Sequence, residues 1–135
     1  MCQIGNKKVN LRKDRIVYKI EEFNGFEWQT PYYYATLEHN KTIEAKGDSV
    51  WLHHPNILST IGKGFFHCFT NKKDTIKTAE ILGKRSFRAL RVVKTIIPHK
   101  DNIVYRGYFA WGEINTMCAR FIHITDEIIW QSNKE

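Results

Sequence analysis

Arginine and lysine residues followed by aromatic side chains form the pattern in this sequence that most favours chemistry. Cations recur at three-residue spacing from Arg85 to Lys94, and the segment 105–111 then combines aromatic residues with Arg106. Guanidinium and ammonium groups donate charge-assisted hydrogen bonds to phosphate, and aromatic rings stack on bases. If the two segments are neighbouring strands of a hairpin, both kinds of group share one surface. The predicted ligand-binding residues are His67, Arg88, Arg91, Lys94, Tyr105, Arg106 and Trp111.

The net charge favours an anionic partner. The chain has 135 residues with 21 Lys and Arg against 14 Asp and Glu, a formal charge of +7 and a pI near 9.4. Residues 63–100 contain ten of these cations and two carboxylates, so this segment carries the whole excess. A second basic group lies in residues 1–14, for which we predict a flexible arm. The alternative interpretation is a solvated surface in which the aromatic residues form the core and the arginines its rim.

Several other kinds of chemistry lack their sequence patterns. The six histidines show no zinc-like spacing, the carboxylates form no recognisable pair, and neither a nucleophile elbow nor a nucleotide-binding glycine loop of known type is present. The three cysteines cannot all pair, and no two have the spacing of a metal or redox motif. Cys68 and Cys118 lie in apolar segments and are predicted to be buried thiols. We therefore predict no catalytic residue, no metal and no cofactor.

The elements that position these residues are predicted to form one α+β domain spanning 1–135, a mostly antiparallel sheet with one main helix at about 71–83. Asn71 is a suitable N-cap, Asp74 lies in the first turn, and Gly83 is predicted to end the helix. Asn24 and Gly25 predict the turn of a first hairpin. Strands are predicted over 16–20, 65–69, 85–97, 103–111 and 118–124, with a mixed signal from 38 to 59.

Two resemblances bear on this prediction. The order Gly62-Lys63-Gly64, strand, Thr70, helix and strand to Lys94 resembles that of ADP-ribosyltransferase-like domains. The same region, with the Ile96-Ile97-Pro98 and Tyr105-Arg106-Gly107 segments, resembles a group of small uncharacterised phage and mobile-element proteins. In the transferases a late strand carries the catalytic Glu, whereas the late strand here, 118–123, contains none. The resemblance implies a nucleotide-sized cleft without the catalytic acid.

These observations lead to four functional hypotheses. The first is a non-enzymatic binding protein that captures an anionic nucleotide-type ligand, as a phage-encoded protein would to sequester a host defence signal. The others are a nucleic-acid-binding protein, a protein-binding inhibitor and an ADP-ribosyltransferase-like enzyme acting on NAD. No apolar run reaches the length of a membrane span and the first residues are polar and basic, so we expect a cytoplasmic protein, in the host cytosol if phage-encoded, without a membrane partner.

Overall fold

The computed structural model describes residues 3–30, 36–45, 51–54, 57–61, 65–109 and 114–132. Within them one helix packs against a single sheet of eleven strands, in which all the pairs between strands are antiparallel. This confirms the α+β class with a mostly antiparallel sheet and one main helix. The elements are β1 Gln3–Val9, β2 Arg15–Phe23, β3 Trp28–Gln29, β4 Thr42–Glu44, β5 Trp51–His54, β6 Ile57–Ile61, β7 Phe66–Phe69, α1 Lys72–Arg85, β8 Leu90–Ile97, β9 Val104–Phe109, β10 Ile114–Ala119 and β11 Phe121–Gln131.

The strand order is β4-β11-β8-β2-β7-β10-β9-β1-β6-β5, and β3 is a short extra strand paired with β2. β1 lies between β9 and β6, so residues 3–9 belong to the sheet in place of the arm predicted for 1–14. β8 pairs with β2 and β11, while β9 pairs with β10 and β1. The hairpin between β8 and β9 that the sequence suggested is therefore wrong, because the chain crosses the sheet after Ile97.

The sheet curls around its larger core. A single cluster of buried apolar side chains joins Val17 of β2, Val93 of β8, Met117 of β10 and Ile122 of β11. β10 and β11 are separated only by Arg120 in sequence, yet three strands lie between them in the sheet. The single strand predicted at 118–124 is therefore wrong. It is divided because the chain passes at Arg120 from one part of the sheet to another, around buried side chains from both.

The helix covers the opposite face of the central strands, where Ala79 packs with Leu90 and Val92. Its N-terminus matches the prediction, since the Asn71 side chain accepts a hydrogen bond of 3.0 Å from the Asp74 backbone N–H. The predicted end at Gly83 is wrong, because the helix continues to Arg85. Gly83 is buried in the last turns and faces Leu90, so packing on the sheet outweighs the low helix propensity of glycine.

The first hairpin is confirmed, with a longer turn than the two residues predicted. Phe23 pairs with Trp28, and Gly25 has the left-handed φ of 100° that the turn requires. The Asn24 side-chain oxygen accepts from the backbone N–H groups of Phe26 at 2.9 Å and Glu27 at 3.0 Å. The asparagine therefore closes the turn with its side chain, which a two-residue hairpin would not need.

Candidate functional site

The residues predicted to bind a ligand are distributed over the sheet. Three strands, β2, β7 and β10, separate β8 from β9 in the sheet. Within β8, Arg91 and Lys94 differ by an odd number of positions and therefore lie on opposite faces, as do the consecutive residues Tyr105 and Arg106 of β9. Trp111 lies outside the described residues. The described members of the predicted set therefore lie on separate strands and on both faces of the sheet.

Each described member of the set has its own surroundings. Arg88 is exposed and pairs with Glu22 at 3.3 Å, and Lys94 pairs with Glu127 at 3.8 Å. His67 is buried in β7, and the Tyr105 ring contacts the Phe65 ring edge-to-face with their centroids 5.5 Å apart. Arg106 is exposed and lies directly opposite Lys7 of β1, which is also exposed.

Arg91 belongs to a partly buried polar cluster that sequence reasoning missed. Glu21, whose side chain is only 2% exposed, accepts a hydrogen bond of 2.9 Å from Nε of Arg91 on its Oε1 atom, and Nη2 of Arg91 forms an ion pair with the same oxygen at 2.9 Å. Its Oε2 atom lies 2.9 Å from Nε2 of His39. The Arg91 guanidinium also lies over the Trp28 ring, 4.1 Å from its centroid. Glu21, His39, Arg91 and Asp126, named together the Glu21 network, join β2, β8, β11 and the segment before β4.

His39 is placed between two carboxylates in this network. Its Nδ1 atom lies 2.9 Å from Oδ1 of Asp126, whose other oxygen accepts from Asn40. Desolvation lowers the pKa of His39, but the hydrogen bonds to Glu21 and Asp126 outweigh it, so the pKa lies above 6.5. The hydrogen bonds of Asn40 and His39 lower the pKa of Asp126. The network thus combines Arg91 and the His39 ring with two carboxylates, and Arg91 is not available as an unpaired phosphate donor.

Two phenylalanine rings project into solvent at one end of the β2–β8 pair. Phe26 is 94% exposed in the β2–β3 turn, and Phe87 is 100% exposed in the loop between α1 and β8. The two loops are adjacent, because the Phe23 backbone N–H donates to the Ala89 oxygen at 2.9 Å. Exposed cations lie beside them. We refer to Phe26 and Phe87 with Lys84, Arg85 and Arg88 as the phenylalanine end.

Hydrogen bonds hold the backbone beneath both rings. Asn24 accepts from the N–H of Phe26 itself, and its amide donates to Gln29 at 3.1 Å. In the other loop, the Ser86 hydroxyl accepts from the backbone N–H of Arg88 at 3.1 Å. Both rings are therefore presented by fixed turns, which lowers the entropy that a ligand must remove when it contacts them.

The outer face of α1 extends this surface with further cations. Lys72, Lys73, Lys77 and Lys84 are all exposed, and the helix spans about 21 Å. Residues 72–88 contain six Lys and Arg against two carboxylates. Because Lys84 and Arg85 end the helix next to the Phe87 loop, a basic helix face leads directly into two exposed aromatic rings.

Other site types find no support in the described part of the chain. It contains no group of three or more His, Cys, Asp or Glu side chains placed so that they could hold a metal ion, and no helix long and apolar enough to cross a membrane. Cys68 and Cys118 are buried, as predicted, and burial raises the pKa of both thiols, that of Cys118 to about 12. Such thiols are poor nucleophiles.

Comparisons with known proteins add no further constraint. The sequence matches no protein-family model, and searches of curated proteins and of solved structures gave no significant match. The functional conclusion therefore depends on the geometry of the site.

Proposed function

We propose that this protein binds single-stranded nucleic acid across the outer face of α1 and the phenylalanine end. The observation that supports this most directly is the presence of two solvent-exposed phenyl rings on hydrogen-bonded loops beside the basic helix. Single-strand binding combines cations that follow the phosphates with aromatic rings on which bases stack. The helix supplies the first component and the two loops supply the second.

The exposure of the rings is costly unless a ligand covers them. Burying a phenylalanine side chain is worth about 1.5–3 kcal/mol relative to leaving it in water. Phe26 and Phe87 gain almost none of this in the free protein, because they are 94% and 100% exposed. Stacking of a base on an aromatic ring contributes about 1–3 kcal/mol, and it does not depend on base identity. The rings therefore favour affinity for unpaired bases without sequence preference.

An extended ligand fits this charge distribution better than a mononucleotide. A small ligand needs polar groups that converge in a cleft, and the cations first predicted for that role lie on both faces and on distant strands. A nucleic acid strand needs only exposed cations in succession, as on Lys73, Lys77 and Lys84 of α1. The binding role requires no catalytic group, in keeping with the expectation of a non-enzymatic protein.

Fluorescence anisotropy with a labelled single-stranded oligonucleotide of mixed sequence tests the proposal. We expect Phe26→Ala and Phe87→Ala each to weaken binding by about 5- to 150-fold, the equivalent of one lost stacking contact. Ile16→Ala is the matched control, because Ile16 is 48% exposed at the other end of β2. The control variant should bind like the wild type.

Salt dependence separates backbone contacts from stacking. Lys73→Gln with Lys77→Gln should reduce the slope of log affinity against log salt by about 1.4, since each phosphate contact on a single strand contributes about 0.7. Absence of binding at low salt, or equal affinity of both phenylalanine variants and the wild type, would refute the proposal. Tighter binding of a mononucleotide than of the oligonucleotide would instead favour the first hypothesis, in which the protein captures a nucleotide-type ligand.

A further inference from the structure

Residues 36–45 form a strap along the edge of the sheet. Its end at 42–44 is β4, which pairs with Phe121–His123 of β11. Its beginning is attached separately, through a bridge between His39 and Ile124 and a 2.6 Å hydrogen bond from the Asn40 N–H to the Ile124 oxygen. Leu37 and Ile43 pack against the larger core from this strap. The strap therefore covers apolar side chains of the larger core and pairs with part of the edge of β11.

The His39 ring connects the strap to two other strands. Nε2 faces Glu21 of β2 and Nδ1 faces Asp126 of β11, each at 2.9 Å. An ionised carboxylate can only accept hydrogen bonds, so both ring nitrogens must carry a proton for both contacts to form. The geometry is that of an imidazolium held between two carboxylates from different elements.

We propose that the protonation state of His39 controls whether the strap stays attached to the sheet, and we call this residue the charge latch. The imidazolium form holds the strap on the sheet. Loss of one proton from the ring releases the strap from the core. This inference is independent of nucleic acid binding. A neutral imidazole has one N–H, so its other nitrogen would direct a lone pair at a carboxylate oxygen. Glu21 is almost fully buried, whereas the side chain of Asp126 is 68% exposed and can turn into water. The contact to Asp126 is therefore the one that is lost first.

The direction of the pH effect follows from the groups around the ring. Glu21 from β2 and Asp126 from β11 favour the charged form, Arg91 from β8 opposes it, and Asn40 of the strap holds Asp126 in place. The pKa of His39 is raised by folding, so the latch contributes fully below the unfolded pKa of about 6.5. The contribution disappears as the pH rises through the folded pKa, and the strap opens on the alkaline side.

Amide hydrogen exchange of residues 36–45, measured over a pH series and corrected for the intrinsic exchange rate, tests the latch. In the wild type the protection of these amides should fall as the pH rises, while the amides of β8 remain protected. His39→Gln should lower the protection at pH 6 by about tenfold or more, equivalent to one hydrogen bond between charged partners, and should abolish its pH dependence.

His99→Gln is the matched control. His99 also pairs with a carboxylate, Asp14, at 2.6 Å, but it lies in the loop after β8, and both its ring and its backbone N–H bond Asp14, the residue before β2. The control variant should keep the pH-dependent protection of the wild type. Equal protection of the wild-type strap at pH 6 and pH 9, or a His39→Gln variant that matches the wild type, would overturn the proposal.

A direct titration of the wild type keeps the inference testable if the variant does not fold. The imidazole resonance of His39, followed by NMR, should titrate with a midpoint above 6.5, and the amide shifts of the strap should follow the same midpoint. A His39 midpoint at or below 6.5, or strap shifts that do not move with it, would contradict the latch.

Discussion

Replacing Glu21 with alanine should destabilise the protein more than any change to an exposed ion pair. Glu21 is 2% exposed and is the common acceptor for Arg91 and His39. Alanine would leave both cations without this partner in a partly buried site. Removing one partner of a buried ion pair costs about 3–5 kcal/mol.

The expected magnitude is near the lower end of that range. The side chains of Arg91 and His39 retain 15% and 18% exposure, so water can replace part of the lost interaction. We therefore expect a loss of about 3 kcal/mol in the free energy of unfolding. Domains of this kind have about 5–15 kcal/mol in total. The melting temperature should fall by about 10–15 °C.

Urea denaturation followed by circular dichroism measures this loss without depending on the fluorescence of Trp28, which Arg91 contacts. Glu44→Ala is the control, because the side chain of Glu44 is 56% exposed and forms an ion pair with Arg120 at 3.5 Å. This control variant should lose less than about 1 kcal/mol in the free energy of unfolding. The double variant Glu21→Ala with Arg91→Ala should cost about 1–3 kcal/mol less than the sum of the single changes. A Glu21→Ala variant within about 1 kcal/mol of the wild type would refute the argument that Glu21 is the central acceptor.

Two further predictions concern the helix and the thiols. Gly83→Ala should raise the free energy of unfolding by about 0.5–1 kcal/mol in the same denaturation assay, because alanine favours the helix more than glycine does. An added Cβ would lie 3.6 Å from Leu90 Cδ1, an ordinary van der Waals distance. A destabilised variant would show that the site has no room for the methyl group. The thiols are tested in a variant in which Cys2 is replaced by serine. Cys68 and Cys118 should not react with an aromatic disulfide reagent at pH 8 in the folded protein, and both should react after unfolding. Rapid labelling of the native protein would contradict their burial.

Local signals in the sequence predicted the local structure well. The Asn71 cap, the Asn24-Gly25 hairpin and the two buried cysteines each depend on a few neighbouring residues, and each was identified. The fold class followed from the short apolar segments and the single helical period. Gly83 was misjudged because its contact with Leu90 is a tertiary one, which local propensity does not contain.

The candidate site was harder to predict because it depends on strand order. Arg91 and Arg106 were expected on neighbouring strands because their segments are consecutive in sequence, but three other strands separate them. The Glu21 network joins residues 21, 39, 91 and 126, and no spacing rule connects such distant positions. One signal was present: Glu21 directly follows the strand predicted over 16–20, and a carboxylate that is buried in a strand needs a polar or cationic partner.

The position of β1 has a consequence for how the chain folds during synthesis. β1 is synthesised before its partner β9, which begins at Val104, about a hundred residues later. At a translation rate of about 5–20 residues per second, β1 waits about 5–20 s for that neighbour. During this interval Lys7 and Lys8 discourage the unpaired strand from pairing with other chains. β1 thus leaves the ribosome long before it has both neighbours, and the folding rate should be limited by this long-range closure.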